Sequence, residues 1–130
     1  MTDYIVDAWA WIEYFDGSRA GNKIRDYIES GRNAIFISSV TFAEVISKFL
    51  RTGRDADVAI EGIRALSRII NADEELAASA GRLHAGNRNN IKNFGLADAF
   101  VLASARKTGC RILTGDPHFE GFKEAVMITR

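Results

Sequence analysis

Four acidic residues lie beside apolar segments of the kind that fill a protein interior. They are Asp7 in "YIVDAWAWIEYF", Glu44 in "ISSVTFAEVISKF", Asp98 in "GLADAFVLASA" and Asp116 in "RILTGDPHF". A buried carboxylate without a partner costs several kcal/mol or takes up a proton. These four side chains are therefore the first candidates for chemistry in the sequence.

Each carboxylate also has a structural explanation when it is considered alone. Asp7 is placed to cap the helix that follows it, and Asp116 precedes the only proline, a favoured arrangement at a helix start. Asp98 lies in the first turn of an apolar helix, where the helix dipole favours negative charge. Glu44 is four residues before Lys48, a spacing that allows an ion pair on one helix face. Only their arrangement in space can distinguish a shared function from these separate roles.

Strands and helices alternate along the chain. Short apolar runs rich in β-branched residues predict strands at 4–6, 34–37, 69–70, 112–113 and 126–128. Helical periodicity lies between them, at about 8–15, 20–30, 40–52, 56–66, 74–86 and 96–107. Two helix starts are marked by capping residues, Asp73 before an acidic pair and Thr41 with Glu44 in a capping box.

This alternation predicts the α/β class, because a strand, a helix and the next strand form a right-handed unit with parallel strands. We expect a three-layer α/β/α sandwich around a parallel sheet of four to five strands, similar to a Rossmann fold. No repeat, linker or low-complexity tract interrupts the chain, so residues 1–130 are interpreted as a single domain. Ligands in such folds bind at the carboxyl ends of the strands.

The predicted topology brings the four carboxylates to one edge of the sheet. Asp7 ends the first strand, Asp116 follows the strand at 112–113, and Glu44 lies one turn into the helix after the second strand. The 96–107 helix must run antiparallel to the strand that follows it, which returns Asp98 to the same edge. The apolar neighbours that we expect to hold Asp98 toward a cleft are Leu96, Phe100 and Val101.

Four clustered carboxylates indicate a bound cation, since without one they would repel each other and raise each other's pKa. Oxygen ligands suit hard cations such as Mg²⁺ or Mn²⁺. A pair of such ions, roughly 4 Å apart, can activate a water and stabilise the leaving oxygen of a phosphodiester. The chemistry predicted is metal-dependent phosphoryl hydrolysis.

Charge and composition limit the other possibilities. The formal net charge is zero, but from Leu76 to Gly115 the only acidic residue is Asp98. This segment is either one face of a phosphate-binding groove or an ordinary solvated face. Its basic residues are Arg82, Arg88, Lys92, Arg106, Lys107 and Arg111.

The sequence also argues against several cellular settings. The only cysteine, Cys110, excludes an intrachain disulfide and a multi-cysteine zinc site, and is expected in the core. Acidic residues near the start do not fit a signal peptide, and no apolar run is long enough for a membrane span. A cytoplasmic protein without membrane contact is therefore expected.

Three stretches resemble the PIN-domain ribonucleases, and more closely the VapC-type toxins of toxin–antitoxin pairs. They are "IVDAWAWIEYF", "SSVTFAEV" and "LADAFVLASARKTGCRILTGDPHF", and the resemblance covers essentially the whole chain. The last is the most specific, since it holds two carboxylates at the family's spacing with a strand between them. The resemblance assigns Asp7, Glu44, Asp98 and Asp116 to the acidic metal-binding positions, with Thr114 as an accompanying hydroxyl.

The resemblance also implies an activity and partners. Members of this family are typically Mg²⁺- or Mn²⁺-dependent endoribonucleases with an α/β/α fold, and they often form homodimers. A VapB-type antitoxin holds such a toxin inactive by inserting a segment into the active-site groove. An RNA substrate, an antitoxin and a second copy of the chain are thus the expected partners.

The sequence departs from the family at Trp9, where many members carry a serine or threonine. Trp9 could stack on an RNA base or meet an antitoxin side chain, and a core role is equally compatible with its position. His84 and His118 are expected at the surface or in turns, with His118 close enough to Asp116 to touch substrate. The basic candidates for RNA contact are Arg82, Arg88 and Lys92.

Other functions fit less well. No phosphate-binding loop of the GxxxxGK[ST] type is present, and a haloacid-dehalogenase-like phosphatase would need an aspartate where Trp9 stands. The alternative that stays open is a non-catalytic module of the same fold that binds RNA or a protein. Loss of carboxylates would favour such a module, whereas all four are present here.

Overall fold

A five-stranded parallel sheet forms the centre of the computed structural model, which describes residues 2–129. Its strands lie in the order β3-β2-β1-β4-β5, and every adjacent pair is parallel. The central strand, β1, therefore has its carboxyl end between those of β2 and β4. The strands are β1 (Tyr4–Val6), β2 (Ile35–Ser38), β3 (Arg68–Ile70), β4 (Arg111–Thr114) and β5 (Ala125–Met127).

Six α-helices connect these strands within the described part of the chain. They are α1 (Ala8–Asp16), α2 (Arg19–Ile28), α3 (Ser39–Arg51), α4 (Ala56–Leu66), α5 (Glu74–Asn87) and α6 (Leu96–Thr108). A short 3₁₀ helix, Pro117–Phe119, follows β4. The expected class, a three-layer α/β/α sandwich around a parallel sheet, is confirmed.

The start of α3 differs from the prediction. Ser38 is the N-cap, and its hydroxyl accepts a hydrogen bond from the backbone N–H of Val40 at 3.2 Å. The expected capping box of Thr41 and Glu44 is therefore wrong, because the N-cap lies three residues earlier. Thr41 is instead buried, and its hydroxyl has no hydrogen-bond partner in residues 2–129.

The two faces of the sheet carry separate hydrophobic clusters. Alternate strand residues point to opposite faces, so Val6 and Leu113 belong to one cluster while Ile5 and Ile112 belong to the other. The first cluster is covered by α1 to α4 and the second by α5 and α6. Cys110 is buried in the second, as expected of a small core residue.

Helix α6 supports the site from within the second cluster. Val101 and Leu102 are buried. Helix α6 ends at Thr108, and the next residue, Gly109, has a left-handed backbone (φ 75°) that turns the chain back into β4. The start of α6 is thereby returned to the carboxyl edge of the sheet, as predicted. Leu96 does not help to hold this end, since it is 54% exposed, contrary to expectation.

No helix within residues 2–129 is both long enough and apolar enough to span a bilayer.

Candidate active site

Asp7 joins the ends of two neighbouring strands. It follows β1 and caps α1, because its Oδ1 accepts a hydrogen bond from the Ala10 N–H at 2.9 Å. Its Oδ2 accepts a hydrogen bond from the Thr114 hydroxyl at the end of β4, at 2.5 Å. The Thr114 oxygen in turn accepts the N–H of Asp116 at 2.9 Å. Thr114 therefore links the carboxylate of Asp7 to the backbone of Asp116.

Asp98, Asp116 and His118 form the tightest part of the site. Nδ1 of His118 lies 3.1 Å from Oδ2 of Asp98 and 3.1 Å from Oδ1 of Asp116. One possible ligand atom from each of the three residues lies within 4.8 Å of the other two. The imidazole therefore bridges a carboxylate on α6 and a carboxylate after β4.

Local structure holds both of these carboxylates in place. Asp116 caps the 3₁₀ helix by accepting the His118 N–H at 3.0 Å, as its position before Pro117 predicts. Asp98 accepts the N–H of Gly95 at 2.9 Å. Glycine has no side chain, so this is one half of a capping box and the reciprocal bond is absent.

Glu44 faces the same site from α3 but is more exposed. Partial burial raises its pKa above the usual range, and repulsion from Asp98 and Asp116 raises it further. Its side chain forms no hydrogen bond or ion pair with another residue of the 2–129 segment, so the ion pair that its spacing from Lys48 allows is not formed. Glu44 is thus placed to interact with the other carboxylates through their charge.

Burial raises the pKa of two of the aspartates. Asp7 is 4% exposed, and burial raises its pKa to about 7 against the lowering effect of its hydrogen bonds from Thr114 and Ala10. Repulsion from Asp116 and Asp98 adds to this increase. Burial also raises the pKa of Asp98, although the bond from Gly95 and the contact with His118 oppose it. The site therefore disfavours its own negative charge.

The donor set fits a divalent cation. Carboxylate oxygens reach one sheet edge from β1, α3, α6 and the turn after β4, and positive charge there would relieve both the desolvation and the repulsion. Asp98 and Asp116 are close together, while Asp7 and Glu44 act on them over longer distances. The predicted residues thus share one edge without being equally close.

His118 is the residue whose place sequence reasoning missed. It lies in a turn, as expected, but the sequence did not predict that its ring contacts two carboxylates directly. The segment "GDPH" contains a usable signal, because a capping aspartate brings the residue two positions later back toward its own carboxylate. The contact with Asp98 depends on how α6 meets the turn after β4, which is a tertiary arrangement.

Trp9 lies at the boundary between the core and an open groove. It is half-buried against the first hydrophobic cluster, and its ring packs on Gly115. The groove has a volume of about 740 Å³ and lies between α1 and α3, with Glu44 in its lining. Its lining is mixed, with the apolar residues Ala8, Trp9, Ile12, Val40 and Ala43 beside the polar or charged residues Glu13, Asp16, Glu44, Ser47, Lys48 and Arg51.

The basic residues do not form one patch. Arg82 lines a groove between α5 and α6 beside Ala103 and Arg106, in the second half of α6 and away from Asp98. Arg88 and Lys92 are exposed in the connection that leads into α6. Only the latter two are near the end of α6 that carries Asp98.

Comparison with known proteins gives one family and a set of similar structures. A family model described as "PIN domain" matches residues 4–125. No curated protein sequence matches the chain significantly.

Three solved structures illustrate the similarity of fold. A toxin–antitoxin complex from Klebsiella pneumoniae has a TM-score of 0.75 at 21% identity, with 95% of this chain and 96% of that chain covered. VapBC2 from Rickettsia felis, bound to a promoter DNA fragment, has a TM-score of 0.74 at 13% identity, covering 97% of both chains. VapC20 from Mycobacterium tuberculosis, a sarcin-ricin loop cleaving toxin, has a TM-score of 0.71 at 22% identity, covering 93% and 97%.

Proposed function

The chain belongs to the PIN-domain family, and we propose that it is a divalent-metal-dependent endoribonuclease, the toxin of a toxin–antitoxin pair. One observation carries the proposal. Carboxylates from four separate elements, Asp7, Glu44, Asp98 and Asp116, face one edge of the sheet in an environment that raises the pKa of Asp7, Glu44 and Asp98. Perturbed carboxylates gathered at one edge are typical of a catalytic site.

The carboxylate oxygens of these four residues would hold one or two Mg²⁺ or Mn²⁺ ions. The bound cation would supply an activated water and neutralise the charge that develops on a phosphate. Thr114 has a positioning role, since its hydroxyl links the carboxylate of Asp7 to the backbone of Asp116. The buried face of α6 keeps Asp98 at the edge where the phosphate would lie.

Substrate and partner follow from the same site. The substrate proposed is RNA, and Arg88 and Lys92 are the basic residues best placed to attract its backbone. Glu44 is part of the lining of the groove between α1 and α3, so a segment of a VapB-type antitoxin lying there would contact one of the four carboxylates. A homodimer acting in the cytoplasm completes the proposal.

The direct test is cleavage of end-labelled single-stranded and structured RNA by the purified protein. We expect cleavage with Mn²⁺ or Mg²⁺ and none with excess chelator. Asp98→Asn is expected to abolish cleavage, because it removes a charge while keeping an oxygen that can accept the Gly95 N–H. Asp73→Asn is the matched control, since Asp73 is an exposed helix cap away from the site and asparagine also caps helices.

Two results would contradict the proposal. Cleavage that persists in chelator, or full activity of Asp98→Asn, would rule out the metal-dependent mechanism. RNA binding without cleavage, under conditions in which the protein is folded and metal is present, would favour the non-catalytic binding module instead.

A further inference from the structure

We infer that His118 is a metal ligand of the active site and that it makes the site favour Mn²⁺ over Mg²⁺. The inference rests on the proposed function, because it concerns the cation of that same site. It adds a nitrogen donor to a set that the sequence presents as oxygen only.

The position of one atom carries this inference. Nδ1 of His118 is equidistant from Asp98 Oδ2 and Asp116 Oδ1, at 3.1 Å from each. Adjacent ligands of an octahedral ion with bonds of about 2.1 Å stand about 3.0 Å apart. The two distances from Nδ1 to the carboxylate oxygens therefore already match neighbouring positions around a single ion, and candidate ligand atoms of the three residues all lie within 4.8 Å of one another.

The backbone of His118 is held next to Asp116, and the ring contacts both carboxylates. Asp116 accepts the His118 N–H at 3.0 Å, which ties the residue to the turn that carries one of its carboxylate neighbours. Pro117 restricts the backbone between them, since its ring fixes φ. Little reorganisation is needed for Nδ1 to face an ion held by Asp98 and Asp116.

Ligand chemistry gives the direction of the metal preference. Mg²⁺ is bound almost entirely through oxygen and water, and it gives up its waters reluctantly. First-row transition ions accept imidazole nitrogen, so a histidine ligand favours them over Mg²⁺. With the ring proton on Nε2, the lone pair of Nδ1 is available for the ion.

The competing explanation is that His118 only donates a hydrogen bond to the two carboxylates. His118→Gln separates the two roles, because an amide N–H can still donate to a carboxylate but the side chain lacks an imidazole nitrogen. His84→Gln is the matched control, since the other histidine stacks on Phe94 rather than contacting the carboxylates.

The experiment measures Mn²⁺ and Mg²⁺ affinity by calorimetry, and nitrogen coupling to bound Mn²⁺ by pulsed electron paramagnetic resonance. We expect imidazole-nitrogen modulation in the wild type and in His84→Gln, and its loss in His118→Gln. The affinity for Mn²⁺ should fall at least roughly tenfold in His118→Gln, while that for Mg²⁺ changes much less.

Persistence of the nitrogen signal in His118→Gln, or its absence from the wild type, would overturn the inference. An unchanged ratio of Mn²⁺ to Mg²⁺ affinity in His118→Gln would do the same. RNA cleavage measured on the same samples keeps the two proposals apart. Metal-dependent cleavage without nitrogen coupling would leave the proposed function standing, whereas failure to bind any cation would remove both.

Discussion

Three aspartates of the proposed site each have a structural role of their own. Asp7 caps α1, Asp116 caps the 3₁₀ helix and Asp98 accepts the N–H of Gly95. The structural role of each of these three aspartates is thus compatible with the catalytic role proposed for it. An asparagine keeps the accepting oxygen and loses the charge, so Asp→Asn variants separate folding from chemistry.

Asp98→Asn is expected to melt no lower than the wild type in the absence of metal. The substitution removes a partly buried charge that Asp116 repels, which offsets the lost attraction to His118. Mn²⁺ at a hundred times its Kd should stabilise the wild type by about 2.7 kcal/mol and so raise its melting temperature. It should not raise the melting temperature of the variant. Thermal melts with and without Mn²⁺ measure both effects.

A large loss of stability in metal-free Asp98→Asn would contradict this expectation. It would mean that the bond to Gly95 depends on the full charge of the carboxylate and that capping is the main role of Asp98. Asp73→Asn, which alters a cap far from the site, indicates how much of any loss is general to helix caps.

The buried Asp7 predicts that metal-free stability falls as the pH rises. Its pKa is raised to about 7 in the folded protein, above about 3.9 in an unfolded chain. Between these values the folded state binds more protons than the unfolded state, so the unfolding free energy decreases with increasing pH. This one group should contribute a decrease of about 2–3 kcal/mol between pH 5 and pH 8.

Urea unfolding at pH 5 and pH 8, in chelator, measures this dependence. Asp7→Asn should show a smaller decrease than the wild type, because asparagine does not titrate and can still cap α1. The burial of Glu44 and Asp98 also raises their pKa, so part of the slope should remain. An equal slope in the wild type and in Asp7→Asn would show that Asp7 is ionised in the folded state.

At the scale of elements, the turn after β4 is the most constrained part of the site. Gly115 lies between Thr114 and Asp116, with the ring of Trp9 directly against it. A Cβ at this position would be 2.3 Å from Cη2 of Trp9 and 2.6 Å from the backbone oxygen of Ile128. Trp9, which stands where many family members carry a hydroxyl residue, therefore packs against the backbone that positions Asp116.

Gly115→Ala is expected to destabilise the protein by about 1–3 kcal/mol, the usual cost of overpacking a tight site. It should also reduce RNA cleavage, since the turn must shift to make room for the methyl group. Gly81→Ala is the matched control, because Gly81 is an exposed residue of α5 with open space around it. Alanine is more favourable than glycine within a helix by about 1 kcal/mol. Denaturant midpoints of the two variants should move in opposite directions.

Element positions were the part of the fold that the sequence predicted best. The strand at 4–6 and the helix at 56–66 were predicted to the residue, and the ends of the other elements differ by at most two residues. The reason is that apolar periodicity and end signals such as Asp73 act locally. The predicted N-cap of α3 was wrong because Ser38 and Thr41 can both cap a helix, and only the point at which β2 ends decides between them.

At the scale of the whole molecule, the site could be predicted where topology alone decides it. Parallel strands place the ends of β1 and β4 side by side, and this brings Asp7 near Asp116. The periodicity of apolar residues does not predict side-chain directions or helix packing. The contact of His118 with two carboxylates and the separation of Arg82 from Asp98 depend on both. The dimer and the antitoxin remain predictions, since neither leaves a signal in one chain.

The sheet separates two hydrophobic clusters, and we expect them to unfold as one unit. Leu102 is fully buried in the cluster of α5 and α6, whereas the two tryptophans lie on the opposite face with α1. Leu102→Ala should cost about 2–5 kcal/mol and shift the tryptophan fluorescence transition as far as the circular dichroism transition. Leu96→Ala, in the same helix but 54% exposed, should change stability by at most about 0.5 kcal/mol. The contrary result would be a fluorescence transition that stays at the wild-type midpoint while the circular dichroism transition moves. It would mean that the two faces of the sheet fold separately. The α6 layer could then loosen and release Asp98 while the rest of the sheet is intact.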